Sequence, residues 1–167
     1  QTTQTVSSVS PFLFDIIPAS ESFEADAEAL KTNPELLRDV LQNLTQYDYI
    51  ILDTPPALNH INYSAMLAAT GCIIPLQAEF FAFESLNRLL LFIQTARQHN
   101  QTLSLDGILM TMYTNAARHC EEIVKQAEPL LGWNSLFNTI IPRDIQISEA
   151  QSHRKTILDY APNSPVS

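Results

Sequence analysis

Tyr49-Ile50-Ile51-Leu52 is a continuous apolar run stopped by Asp53 and then by Thr54-Pro55-Pro56. An uninterrupted run of this kind suits a central parallel strand covered on both faces, where an alternating one suits a half-exposed strand. The same reading makes strands of Cys72-Ile73-Ile74, closed by Pro75, of Gly107–Met112, and of Leu136–Ile141 before Pro142. Phe12–Ile17, ended by Pro18, is a short strand ahead of them. The intervening segments have helical spacing. Pro34 opens a helix with Leu36, Leu37, Val40, Leu41 and Leu44 on one face, and Ser64–Ala69 is helical in composition. Phe83, Leu86, Leu90 and Ile93 mark a long helix up to about His99. Ile123, Val124, Ala127, Leu130 and Leu131 mark another, ended near Gly132. Ser20–Lys31, rich in acids, reads as a solvated helix or loop. Strands alternating with helices of this length predict an α/β chain with a doubly wound, mostly parallel sheet and helices on both faces. Residues 1–10 are polar and aperiodic, a flexible start; with no repeat or linker beyond them, 11–167 reads as a single domain.

Glycine use excludes the most chemistry. The chain has only three glycines, Gly71, Gly107 and Gly132, too far apart to build a phosphate-cradling G-x-x-x-x-G-K-[ST] or G-x-G-x-x-G loop. The opening Gln1, in place of Met, points to a cut piece of a longer chain. Net charge is −9, a poor match for nucleic acid by the chain as a whole. Acid concentrates in residues 1–53, with nine acids and two bases, while 143–167 hold three of each and can approach an anion more easily. Phe80–Ile93 is too polar and too short to span a bilayer, and the start carries no signal-peptide pattern. Cys72 and Cys120 lack a C-x-x-C partner, which fits a reducing cytoplasm and a structural role for each.

Ligands of open α/β sheets bind beyond the carboxyl ends of the strands. Asp53 is the most telling residue there: a carboxylate at a strand tip can hold a Mg²⁺ water beside a phosphate, and the prolines after it stiffen the adjoining loop. Equally, such an aspartate can simply end a strand and cap the next turn. His60, His99, His119 and His153 never fall at metal-ligand spacing and read as surface or capping residues. No G-x-S-x-G elbow presents a serine nucleophile. Phe80, Phe81 and Phe83 read as core packing rather than a base-stacking platform.

Four stretches sharpen the choice: YDYIILDTPPALN (Tyr47–Asn59), IIPLQAEFFAFESLNRLL (Ile73–Leu90), LDGILMTM (Leu105–Met112) and FNTIIPRDIQISEAQSHRKTILDYAPNS (Phe137–Ser164). In this order, and with FDIIPASESFEADAEAL ahead of them, they resemble the later two-thirds of ParA/Soj-type partitioning ATPases, relatives of MinD. The resemblance implies a P-loop NTPase-like fold whose N-terminal strands and Walker A loop are missing, so that the chain is an N-terminally truncated ParA-like domain. It implies ATP and Mg²⁺ as cofactors, with Asp53 at the Walker B position and Thr54, Pro55 and Pro56 in the switch loop. Pro142 and Arg143 fall at the adenine end of the nucleotide, with Met112 at a neighbouring strand tip. Further implications are an ATP-bound homodimer, a ParB-like partner that stimulates hydrolysis, non-specific DNA, no membrane, and a cytoplasmic, nucleoid-associated location. Arg118, Arg154 and Lys155 are the DNA-contact candidates, against a plain reading as solvated surface.

The resemblance also implies what is lacking: the phosphate cradle, its lysines and the water-orienting aspartate. Without that electrostatic stabilisation, the isolated chain is expected neither to bind ATP tightly nor to hydrolyse it. Two alternatives stand beside the partitioning reading. One is a non-enzymatic interaction or dimerisation module derived from such an ATPase. The other is a relative of the tyrosine kinases of polysaccharide export, which share the strand ending in Asp-Thr-Pro-Pro; the tail here, however, holds only Tyr160.

Overall fold

In the first of two compact units, Gln1–Ala65 and Met66–Ser167, acid-rich sequence folds into short exposed helices. The computed structural model describes residues 15–18, 23–77, 82–114 and 136–167, with the backbone alone for 23–26 and 82–83. Helix α1 (Phe23–Thr32) carries Lys31 in its last turn, where a cation complements the helix dipole, and Lys31 pairs with Glu28 at 3.3 Å. The Asn33 side chain then accepts from the Glu35 N–H at 3.3 Å, turning the chain into α2 (Leu36–Leu41). The apolar face expected there is present but not buried: none of the α2 residues is buried, and Val40 is 53% exposed.

The largest departure from expectation is Tyr49–Leu52, which forms no strand. Tyr49 is 88% and Ile51 91% exposed. A strand is a relation to hydrogen-bonded neighbours rather than a property of a run, and no described segment of this unit forms a ladder with these residues. Of the Phe12–Ile17 strand, only Asp15–Pro18 are described, and these are exposed with a single bridge at Ile16. The Tyr47 hydroxyl donates to the Asp15 carboxylate, and that bond, with lesser contributions from desolvation and the Asp15 charge, pushes the phenol above its ordinary range.

The second unit holds a three-stranded parallel sheet of order β1 (Gly71–Gln77), β2 (Ser104–Tyr113), β3 (Leu136–Pro142). β1 runs through Pro75 rather than closing at it, pairing Pro75 with Leu109 and Gln77 with Thr111. Proline is tolerated because, among the described strands, β1 lies at the edge of this sheet, where one side needs no ladder. The continuous apolar sequence of β1 is not buried on both faces either. Ile74 and Leu76 are buried, Ile73 is 53% exposed and Cys72 is half-buried. Among the described residues, helix α4 (Ala82–Arg97) packs against β1 and covers its buried face. Leu86, Leu90, Ile93 and Ala96 recur every three or four residues and are all buried, each large side chain contributing about 1.5–3 kcal/mol.

The β1–β2 ladder shifts register after Cys72, leaving Asp106 as the extra residue and Gly107, buried at φ 154°, as its hinge. Asp106 folds back over Gly71, where an added Cβ would lie 2.0 Å from Asp106 Oδ2. Ser104 Oγ donates to Asp106 Oδ1 at 2.5 Å, fastening the start of the sheet.

Helix α3 (His60–Ala68) begins in the first unit and ends in the second. Its last carbonyls are closed by Asn100, a buried amide just beyond α4. Asn100 Nδ2 donates to the carbonyls of Met66, Leu67 and Ala69 at 2.9, 3.2 and 2.8 Å. Its Oδ1 accepts from the Thr102 hydroxyl and N–H.

After β3, Asp144 caps α5 (Ile145–Ser152) by accepting from the Gln146 N–H at 2.9 Å. The chain leaves α5 through Arg154 at φ 54°, with the Lys155 N–H returning to Ala150 O and the Arg154 N–H to Gln151 O, a left-handed helix stop of the Schellman type. Thr156 caps α6 (Ile157–Tyr160), whose Tyr160 ring stacks on His153 with centroids 5.2 Å apart. The helix expected over Ile123–Leu131, and with it Cys120 and His119, lies outside the described residues. Among the described residues no helix is long and apolar enough to cross a membrane.

Candidate functional site

Asp53 is exposed and opens the loop 53–59. No described residue bonds its carboxylate, and the described residues bring together no cluster of three metal-ligating side chains. One free carboxylate is the protein share of a Mg²⁺ site in which water and substrate phosphates supply most ligands, so the residue present fits that ion better than a metal that needs a full protein cage.

The loop after Asp53 is tied at both ends. The Ala57 N–H donates to Pro55 O at 2.8 Å and the Asn59 N–H to Ala57 O at 3.1 Å, two tight turns in succession. Asn59 then starts α3: its Oδ1 accepts from the N–H groups of Ile61 and Asn62 at 3.0 and 3.3 Å, satisfying donors that open every helix. From inside α3, Asn62 reaches back. Its Nδ2 donates to Pro55 O at 3.0 Å and to Thr54 Oγ1 at 3.3 Å. A carbonyl oxygen only accepts, so the contact with Pro55 fixes which end of the amide faces the loop. Asn62 is 8% exposed, and its Oδ1 has no hydrogen-bond partner among the described residues. The same holds for Ser64 Oγ and for His60 Nε2, so His60 is not the plain surface or capping histidine expected from spacing.

Met112, Pro142 and Arg143 come together at the carboxyl rim of the sheet in the second unit. Tyr113 pairs with Pro142, and the Arg143 N–H donates to Tyr113 O at 3.0 Å. Met112, 47% exposed, sits at φ 52°, a left-handed conformation costly for a side chain with a Cβ and most often retained where a site needs it. Arg154 and Lys155 are exposed on the turn between α5 and α6. Arg118, Phe80 and Phe81 lie outside the described residues, as does the side chain of Phe83.

At the opposite end of the strands, a hollow of about 250 Å³ is lined by Asp106, Leu136, Phe137 and Asn138. Its place at the amino ends separates it from the rim that ligands of such sheets use. Nearby Cys72 is a poor nucleophile: burial, and then the charge of Asp106, raise its thiol above the ordinary range.

Sequence reasoning singled out Asp53 as the tip of a strand, which does not form, and missed the amides that hold the loop after it. Asn59 gave a usable signal, a capping residue directly before a helical segment. Asn62 gave none, because a buried donor inside a helix has the same letter as a solvated one.

The profile of a family described as an AAA domain matches residues 2–105. Among curated proteins, the chain is 35% identical over 153 residues to the chromosome-partitioning ATPase Soj of Thermus thermophilus, covering 91% of this chain and 61% of that protein. The chain thus spans less than two thirds of that relative's length. Among solved structures, apo McdA of Cyanothece superposes with a TM-score of 0.73 at 21% identity, over 89% of this chain and 63% of that one, a likeness of fold. Cobyrinic acid a,c-diamide synthase of Mycobacterium smegmatis, solved with a bound ATP analogue and magnesium, gives 0.67 at 25% identity, over 78% and 55% of the two chains.

Proposed function

Because the chain belongs to the ParA/Soj-type partitioning ATPases, we propose that it carries the magnesium-side loop and the adenine-side strand tips of an ATP-driven DNA-segregation switch. The observation that carries this reading is the exposed Asp53 carboxylate, unbonded by described residues, at the head of a loop held at both ends. Asp53 holds a water of the Mg²⁺ ion, and Thr54, Pro55 and Pro56 form the loop beside the phosphates. Met112, Pro142 and Arg143 border the adenine. When bound, Mg²⁺ supplies the positive charge that phosphoryl transfer needs at the phosphates. These 167 residues contain no glycine-rich loop, so the phosphate cradle of the proposed ATPase comes from residues other than these.

In this reading ATP closes a homodimer, and the dimer binds DNA without sequence preference through Arg118, Arg154 and Lys155. A ParB-like partner stimulates hydrolysis in a cytoplasmic, nucleoid-associated protein. Partitioning relatives favour it over the polysaccharide-export kinase. A second reading, an interaction or dimerisation module derived from the same ATPases, draws on the missing loop. Titration with Mg²⁺-ATP separates the two. The 167-residue chain alone is expected to show no saturable binding or turnover, whereas the protein joined to a glycine-rich phosphate loop hydrolyses ATP and loses activity with Asp53→Ala. A joined protein whose turnover survives Asp53→Ala refutes the assignment.

A further inference from the structure

We propose that Asn62 is the positioning residue of the Asp53 loop, holding it to helix α3 through Thr54 and Pro55; this rests on the reading of that loop as the magnesium-side switch. Asp53 itself is exposed and unbonded by described residues, and Thr54, Pro56, Ala57 and Leu58 are exposed as well. Packing therefore does little to fix where the carboxylate stands. Within the loop, the Pro55–Ala57 and Ala57–Asn59 turns set local shape but fasten nothing to a rigid element.

Asn62 does so. It sits in the first turns of a nine-residue helix, its own N–H held by the Asn59 cap, and its side chain is immobilised by burial. Both of its long contacts end on the two residues that directly follow Asp53. Pro55 O accepts from Asn62 Nδ2 and from the Ala57 N–H together, so one carbonyl joins the helix clamp to the turn. Among the described residues its Oδ1 has no partner, so the contacts that tie the amide to the loop are those of its two N–H donors. A site placed from a helix is held more closely than one placed from a loop alone. Asn62 touches neither nucleotide nor ion in this scheme; it acts through the loop.

Asn62→Asp keeps the shape and removes both donors. In the nucleotide-free 167-residue chain, hydrogen exchange at the Ala57 and Asn59 amides is expected to rise about tenfold or more, reporting loss of the clamp. In the ATP-hydrolysing protein, misplacement of the carboxylate is expected to lower kcat about tenfold with KM for ATP within about twofold, and to raise the Mg²⁺ concentration at half-maximal rate. A purely architectural role leaves that Mg²⁺ midpoint where it was. Should Asn62→Asp fail to fold, Thr54→Val, which removes an acceptor at the surface, is expected to shift the midpoint in the same direction, with Thr54→Ser restoring it. Unchanged exchange or an unchanged midpoint, beside an inactive Asp53→Ala, overturns the role of Asn62. Full turnover by Asp53→Ala instead overturns the reading of the loop, and the positioning role with it, whatever the exchange shows.

Discussion

Asn100 offers the sharpest test of how the second unit is held together. Asn100 is 7% exposed, and its amide closes three carbonyls at the end of α3 while its oxygen orders Thr102. Asn100→Ala deletes these bonds and strands buried carbonyls. The two N–H donors are shared among three carbonyls and the oxygen accepts from Thr102, roughly three bonds at about 1 kcal/mol each, so a total near 3 kcal/mol follows. For a chain of this size that is a fall in Tm of about 6–12 °C. Asn100→Asp separates bonding from packing. Aspartate fills almost the same volume but turns a carboxylate oxygen toward three carbonyl oxygens, so it is expected to be at least as destabilising as alanine at neutral pH. Urea unfolding followed by far-UV circular dichroism reads both. An aspartate variant as stable as the parent, or losses below about 1 kcal/mol in both, refutes the argument that donation rather than volume is what matters.

Two further outcomes follow from the same geometry. Asp144 accepts from the Gln146 N–H and then from Ser164 Oγ, which together hold its carboxyl below the ordinary range. Its stabilisation is therefore complete above the ordinary carboxylate range and lost as pH falls through the lowered folded value; Asp144→Asn is expected to flatten the acid limb of a Tm-against-pH curve, and an unaltered limb counts against this. Gly71→Ala places a methyl against the carboxyl end of Asp106, an exposed side chain that can swing aside at the cost of its Ser104 bond, and is expected to cost about 0.5–1.5 kcal/mol, with most of the loss recovered in an Asp106→Ala background, so equal losses in both backgrounds exclude the clash as the cause.

Much of the second unit was legible. β2 and β3 contain their apolar runs, and α4 follows the spacing of Leu86, Leu90 and Ile93 because one face of a helix and one face of a sheet leave periodic marks. Tyr49–Leu52 shows where that legibility stops. Apolarity says that a segment gains from cover, but whether it becomes a strand depends on backbone partners that the run does not encode. Pro75 was read as a terminator because proline lacks a donor, yet at an edge position the missing donor is not needed. In the candidate site, an apolar run ending in an aspartate is common and singled out Asp53 only together with the family resemblance, while Asn62 and the left-handed turn at Met112 depend on tertiary placement that carries no local signature.

The bared Tyr49–Leu52 run has a practical consequence. Tyr49, Ile50 and Ile51, three residues of high β-propensity, stand exposed between Asp48 and Asp53, so two carboxylates act as gatekeepers against strand-to-strand stacking between molecules. Replacing both by asparagine removes the repulsion while leaving the sticky backbone in place, and the doubly substituted chain is expected to form cross-β fibres seeded at this segment.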